Sequence, residues 1–180
     1  DLFHKKVAWD KAMDLLYKFY IKNDNYPEAI RVAKAYDLDH PDETFTTGEI
    51  ARLYAKTGNP ADALFYYKKA FRKSADIDLA KKIVITLLQM DRPEESRYYL
   101  SYIIEKDPND KTGVNLRKMI NGVLAARIRL VNQPGDIFSN NIQAKYYLFT
   151  GNLRMAKKFI DQAMKINSRD KESLILAAEY

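Results

Sequence analysis

Apolar residues recur three and four positions apart along most of the chain, and the spacing restarts after each short polar corner. Leu16, Tyr17 and Tyr20 precede the corner Asp24-Asn25, with Ala29 and Tyr36 behind it. The arrangement returns as Ile50, Ala51 and Tyr54 before Gly58-Asn59, then Ala63 and Ala70. It returns again as Ile83, Val84, Leu87, the corner Asp91-Arg92, Ser96 and Ile103. A fourth copy reads Gln143, Ala144, Tyr147, Gly151-Asn152, Ala156 and Ala163. Each copy predicts two amphipathic helices joined by a tight turn. Gly and Asn suit that turn because they tolerate left-handed backbone angles. Pro41 and Pro108 cannot continue a helix and close the first and third units, where Ala75 and Ser168 stand in the others. Small residues in the Ala columns let paired helices approach closely.

The strings GNPADALFYYKKAF (58–71) and GNLRMAKKFIDQAM (151–164) show the repetition most directly. Aligned on the small residue behind each corner, Ala29, Ala63, Ser96 and Ala156 are 34, 33 and 60 residues apart, the last spacing being one period plus 26 residues. The period, the helix-turn-helix pattern and the order of Tyr, Gly-Asn, Ala, Ala and Pro resemble the tetratricopeptide repeat. The resemblance implies an all-α fold, a right-handed α-α superhelix of helix-turn-helix repeats. The repeats fall at 10–43, 44–77, 77–110 and 137–170, in a single domain over 1–180. The third departs most, lacking Gly at the turn and placing Ser96 and Ile103 in the Ala columns. Residues 171–180 restart the pattern with Leu174, Ala177 and Ala178 and read as a capping half repeat. Phe3, Val7 and Trp9 extend the first helix backwards.

The inserted segment 111–136 carries Leu116, Met119, Ile120, Val123, Leu124, Ile128 and Val131 at helical spacing. It predicts one long helix from Asp110 to Asn132, about 33 Å at 1.5 Å per residue, ended by Pro134-Gly135. Its Lys111, Arg117, Lys118, Arg127 and Arg129 face a single acid, Asp136. Arg117, Lys118, Arg127 and Arg129 form a candidate second surface, for an acidic partner or a membrane face. The plainer reading packs the apolar side on repeats three and four and leaves the charges in water.

Composition narrows the chemistry. The 180 residues are 47% hydrophobic with only six Gly and six Pro, which suits a helical globular chain. Absence of Cys excludes disulfides, zinc-thiolate sites and Cys nucleophiles. No apolar run is long enough to span a bilayer. The first residue is not Met, and no signal-peptide core follows it, so the chain reads as a piece of a longer protein; the compartment is left open. DPNDKTG (107–113) fails as a calcium loop, with Thr112 where Gly is needed and Lys118 where Glu is needed, and serves as an inter-repeat turn with Asp110 as N-cap. His4 and His40 have no metal spacing, and no phosphate loop, nucleophile elbow or carboxylate pair appears. No cofactor, metal or small-molecule substrate is expected.

In the family that the chain resembles, the first helices of successive repeats line a concave groove. That implies groove positions at Asp14, Lys18 and Lys22; at Gly48, Glu49, Arg52 and Lys56; at Lys81, Lys82 and Ile85; and at Asn141, Lys145 and Phe149. Lys18, Arg52 and Lys145 share one column, and Lys22 and Lys56 the next. With a net charge of +6, such columns attract a peptide rich in Asp or Glu. The clamp with which some family members hold a chaperone's C-terminal carboxylate is not present: Asp14, Lys18 and Glu49 stand where its Lys and two Asn belong, and only Lys82 fits. The expected role is a non-catalytic protein- or peptide-binding scaffold. The alternatives are an accessory docking or dimerisation domain of a larger, even enzymatic, protein, and an RNA-binding helical repeat; a second copy is an admissible partner, while nucleic acid and membrane are disfavoured.

Overall fold

The computed structural model describes residues 2–41 and 43–180, with side chains from Val7 onward except Phe45. The expectations for the side chains of Phe3 and His4 therefore fall outside the described residues. Ten α-helices and no strand occur among the described residues: α1 (Leu2–Lys22), α2 (Tyr26–Asp39), α3 (Thr44–Lys56), α4 (Pro60–Ser74), α5 (Ile77–Gln89), α6 (Pro93–Lys106), α7 (Lys111–Asn132), α8 (Ile137–Thr150), α9 (Leu153–Ile166) and α10 (Lys171–Glu179). They form two compact units, Asp1–Thr86 and Leu87–Tyr180. In the first, α1 packs on α2, α2 on α3 and α3 on α4. In the second, α6 packs on α7, α7 on α8, α8 on α9, and α10 on both α8 and α9.

The polar corners become four copies of one turn. Asp24, Gly58, Asp91 and Gly151 all take positive φ, between 53° and 78°. The next residue donates its N–H back to the carbonyl of Tyr20, Tyr54, Leu87 or Tyr147, each at 2.9 Å. The positive-φ residue donates to the carbonyl one position later, completing a Schellman motif each time. The aromatic column of the sequence is thus also the acceptor column of the cap. Asn25, Asn59 and Asn152 then cap the following helix by accepting from the N–H three residues on. Arg92 has no such side-chain bond and instead forks onto Glu95.

The small columns lie between the helices. Ala29, Ala63, Ser96 and Ala156 are fully buried, as are Ala70, Ile103 and Ala163 in the later column. Ser96 hides its hydroxyl by donating to the Pro93 carbonyl at 2.6 Å. Ile103, the large residue in a small column, is accommodated from the opposite side. Gly113 on α7 faces it, and a Cβ there would lie 2.8 Å from Ile103 Cγ2. Gly113→Ala should therefore destabilise by about 1 kcal/mol net, because the clash outweighs the gain of up to about 1 kcal/mol in helix propensity. In an Ile103→Ala background the same exchange should become neutral or favourable; urea denaturation of the four proteins of this cycle measures the coupling.

α7 is capped by Asp110, which accepts from the Gly113 N–H at 2.6 Å. Its buried line is Gly113, Leu116, Ile120, Val123 and Ala126, turned toward α6 and α8. Ile128 and Val131, expected on that face, are exposed. The inward line ends at Arg127, whose guanidinium pairs with Asp91 and lies 3.6 Å from Glu94. α8 is tied to α7 by Gln143, which donates to the Val123 carbonyl at 2.9 Å.

Two buried polar ties hold repeats together. In the first unit Asp37 of α2 is 5% exposed and accepts from Thr47 Oγ1 of α3 at 2.6 Å and Lys69 Nζ of α4 at 2.5 Å. In the second, Asn141 of α8 is 2% exposed; it donates to Asp170 at 3.0 Å and accepts from Ser173 Oγ at 2.9 Å. The same Asp170 caps α10 through the Ser173 N–H.

Candidate functional site

A cleft of roughly 260 Å³ in the first unit is bounded by α1, α2 and α3. α1 presents Asp10, Met13, Asp14 and Tyr17, spaced at helical steps on one face. α2 contributes Val32, Ala33 and Tyr36, and the start of α3 contributes Glu43, Thr46 and Glu49. The floor is apolar, two walls are tyrosine, and the rim holds four carboxylates.

Two of the expected groove cations stand at this site, and both already have partners. Lys18 pairs with Asp14 at 2.7 Å one helical turn away. Arg52 forks onto Glu49, with Nη2 at 2.7 Å and Nε at 3.0 and 3.1 Å from the two carboxylate oxygens. Tyr17 donates to the same carboxylate at 2.9 Å and so links α1 to α3. Burial alone would raise the Glu49 pKa; the bonds from Arg52 and Tyr17 and the positive charges of Arg52 and Lys82 outweigh it and hold the carboxyl below its ordinary range. Burial and the neighbouring Glu49 push the Tyr17 hydroxyl up. Glu49 is thus ionised and saturated.

Asp10 is different. Its Oδ1 is buried and receives no hydrogen bond. The His40 Nε2 is 3.5 Å away. His40 caps the C-terminus of α2, stacks on Tyr36 with ring centres 4.0 Å apart, and sets its Nδ1 3.2 Å from the Tyr36 carbonyl. Tyr36 in turn reaches toward Glu43 at 3.4 Å.

The other expected groove residues take several roles. Lys56 lies over the Tyr26 ring at 4.3 Å and Lys82 over Tyr67 at 5.9 Å. Lys22 stands exposed in the last turn of α1. In the second unit Lys145 pairs with Glu172, while the Asn141 amide is committed to Asp170 and Ser173. Asp10, Met13 and Glu43 were not singled out in the sequence, and Tyr36 only as a position of the repeat. Asp10 sits four and seven residues before Asp14 and Tyr17, a helical spacing that signals a shared face.

Of the second surface on α7, Arg127 turns inward and lies 5.5 Å from the Tyr146 ring. Tyr147 donates to Asp91 at 3.1 Å and Tyr146 to the Leu88 carbonyl at 2.9 Å. Arg129 lies 3.7 Å from Asp136. Lys118 is exposed, and Arg117 lines a cleft of about 410 Å³ with Arg97, Leu100, Ser101 and Ile120. No cluster of three or more metal-ligating side chains occurs among the described residues. No helix among them is long and apolar enough to cross a membrane.

Residues 48–78 and 139–170 match the tetratricopeptide repeat family model. No curated protein matches the sequence. Among solved structures, the chain is similar to the TPR domain of P58(IPK), with 14% identity and a TM-score of 0.59 over 94% of this chain and 64% of that one. It spans less than two thirds of that relative's length. It is similar also to YrrB, described as a TPR protein with an unusual peptide-binding site, at 15% identity and a TM-score of 0.55 over 95% and 98% of the two chains. A tetratricopeptide repeat protein from Parabacteroides merdae gives 14% identity and a TM-score of 0.56 over 93% and 69%. At these identities the likeness is one of fold: an all-α solenoid of helix-turn-helix repeats.

Proposed function

We propose, for a chain that carries tetratricopeptide repeats at 48–78 and 139–170, a non-catalytic scaffold that takes a segment of another protein on the exposed face of α1 and α3. The observation that carries this reading is the cleft between α1, α2 and α3, with an apolar floor and polar walls held on helices rather than loops. The Tyr17–Glu49–Arg52 network fixes the two first helices against each other, so the surface is organised before a ligand arrives. A protein of the same fold, YrrB, is described as having a peptide-binding site, which supports the same use here.

An acidic segment is the occupant to which Lys18 and Arg52 of the first unit would answer, as would Lys145 within the second unit taken by itself. Each of these cations now rests against a carboxylate, so such a segment binds by exchanging with Asp14, Glu49 or Glu172. That exchange recovers little affinity, since one ion pair replaces another. The same pairing weakens an RNA reading, which needs unneutralised charge along the face.

The test begins with peptides selected from a random library against the whole chain. For the tightest binder, Tyr17→Ala and Arg52→Ala should each weaken affinity about tenfold or more, as anchors at the centre of an interface do. Phe65→Ala, an exposed aromatic on α4, should leave it unchanged. The opposite pattern would overturn the assignment of the binding face.

A further inference from the structure

We infer that a cleft in the second unit receives a tryptophan side chain of a partner protein. The cleft, of about 310 Å³, is bounded by Arg127, Leu130 and Val131 of α7, Gln143 and Tyr147 of α8, and Phe159 of α9. None of these residues belongs to the face of α1 and α3, so either surface can bind without the other. Gln143 is the unusual member. Its column of the repeat reads Leu16, Ile50 and Ile83 in the other units, and Ile50 and Ile83 are fully buried. The fourth unit buries a polar amide there instead, 1% exposed. Half of that amide has a structural use: Nε2 donates to the Val123 carbonyl at 2.9 Å and ties α8 to the inserted helix. The other half has none, since Oε1 is buried and accepts no hydrogen bond. A buried acceptor without a donor costs free energy that an N–H on a ligand would recover.

The walls choose among donors. Tyr147 and Phe159 stack with ring centres 5.6 Å apart and planes 9° apart, and Leu130 and Val131 complete an apolar surface. A planar ring laid against them gains aromatic contact. A Lys or Arg would bring its charge to Arg127. An Asp or Glu would set a second acceptor against Oε1, and would find Arg127 already paired with Asp91 and 3.6 Å from Glu94. A Phe or Leu would fill the space and leave the oxygen unmet. A Tyr donates, but its hydroxyl also accepts and would carry its own unmet lone pairs inward. Indole joins a large apolar ring to one N–H that only donates. The volume is at the small end of ligand pockets, about 300–1,000 Å³, and suits a single side chain. Oε1 is covered in the free chain, and the outer wall is the part that can yield: Leu130 and Val131 lie past the end of the inward line of α7, and Val131 is 80% exposed. The tryptophan is a partner's rather than a second copy's. Trp9, the single tryptophan of this chain, already donates its N–H to Asp39 at 3.0 Å.

The probes are the N-acetyl amides of tryptophan, 1-methyltryptophan, tyrosine and phenylalanine, titrated into the whole chain at millimolar concentration and followed by chemical shifts. The tryptophan compound should shift the Gln143 side-chain amide, the Leu130 and Val131 methyls and the Phe159 ring saturably. The 1-methyl compound keeps the ring and loses the donor, so it should bind about tenfold more weakly, the value of one hydrogen bond to a buried acceptor. Phenylalanine and tyrosine should bind no better than it does. Val131→Glu sets a charge on the wall and should weaken the tryptophan compound about tenfold, while Ile128→Glu, also exposed on α7 but outside the cleft, should leave it unchanged. Both exchanges are at exposed positions, where the fold tolerates them. Equal affinity for the tryptophan and 1-methyltryptophan compounds, equal effects of the two variants, or no saturable shift at Gln143 would overturn the receptor. Sedimentation of the chain and of Trp9→Phe tests the occupant: both should remain the same size, and a dimer abolished by Trp9→Phe would overturn the assignment to a partner. None of these results alters the peptide test on α1 and α3, which stands or falls separately.

Discussion

Ala63→Leu lowers stability by about 3 kcal/mol, at the upper end of the cost of overpacking, whereas Ala61→Leu on the same helix changes it by less than about 0.5 kcal/mol. Ala63 is fully buried and Ala61 is exposed. The two exchanges add identical atoms to α4 and differ only in which face receives them. α4 packs against α3, whose Ile50, Ala51 and Leu53 are themselves fully buried, so the extra methylenes have no free volume to enter. Helix propensity cannot account for the difference, since it is the same at both positions. Urea denaturation of both variants measures it. Equal effects would mean that the Ala column does not set the helix separation.

Lys69→Met is expected to cost about 2 kcal/mol at neutral pH, less than the 3–5 of a fully buried pair because Lys73 stays near and Lys69 is itself partly exposed. The lysine leaves behind a carboxylate, Asp37, whose side chain is only 6% exposed. Burial works to raise the Asp37 pKa; the bonds from Lys69 and Thr47 and the charges of Lys69 and Lys73 outweigh it and hold the carboxyl below its ordinary range. The sign follows. In the natural chain this tie contributes fully above the unfolded pKa of about 4 and is lost as pH falls through the lower folded value. In the variant most of the counter-charge is gone, so the ionised form is what suffers. The deficit should be largest near neutral pH and shrink once Asp37 is protonated in acid. Urea denaturation at neutral and acid pH checks this, and Asp37→Asn added to Lys69→Met should recover part of the neutral-pH loss.

The fold was legible because its determinants repeat. A buried Ala or Ser recurs after 34, 33 and, past the inserted helix, 60 residues, and the residue at positive φ recurs with it, whether Gly58 and Gly151 or the less permissive Asp24 and Asp91. Repetition averages out the exceptions. Ile103 is such an exception, and its compensation by Gly113 lies ten residues downstream in a helix outside the repeat, where no period points to it. The candidate site was legible by halves. The columns placed Asp14, Lys18, Glu49 and Arg52 on the right helices, but counting cations by column hid that each had an acid one turn away. The spacings of Lys18 to Asp14 and of Arg52 to Glu49 carry that information in the sequence itself. Asp37 and Asp10 were not legible, since a single acid on a helix gives no sign of whether it faces a neighbour or water. On α7 the apolar spacing ran two residues too far: Ile128 and Val131 continue the pattern after the packing has ended at Arg127.

Amide chemical shifts of the chain bound to its tightest library-selected peptide test most directly that the first helices form the binding face. The account predicts perturbations along α1 and α3, centred on Tyr17 and Glu49. Perturbations centred instead on the exposed side of α2 and α4, around Leu38 and Phe65, with α1 and α3 unmoved, would contradict it.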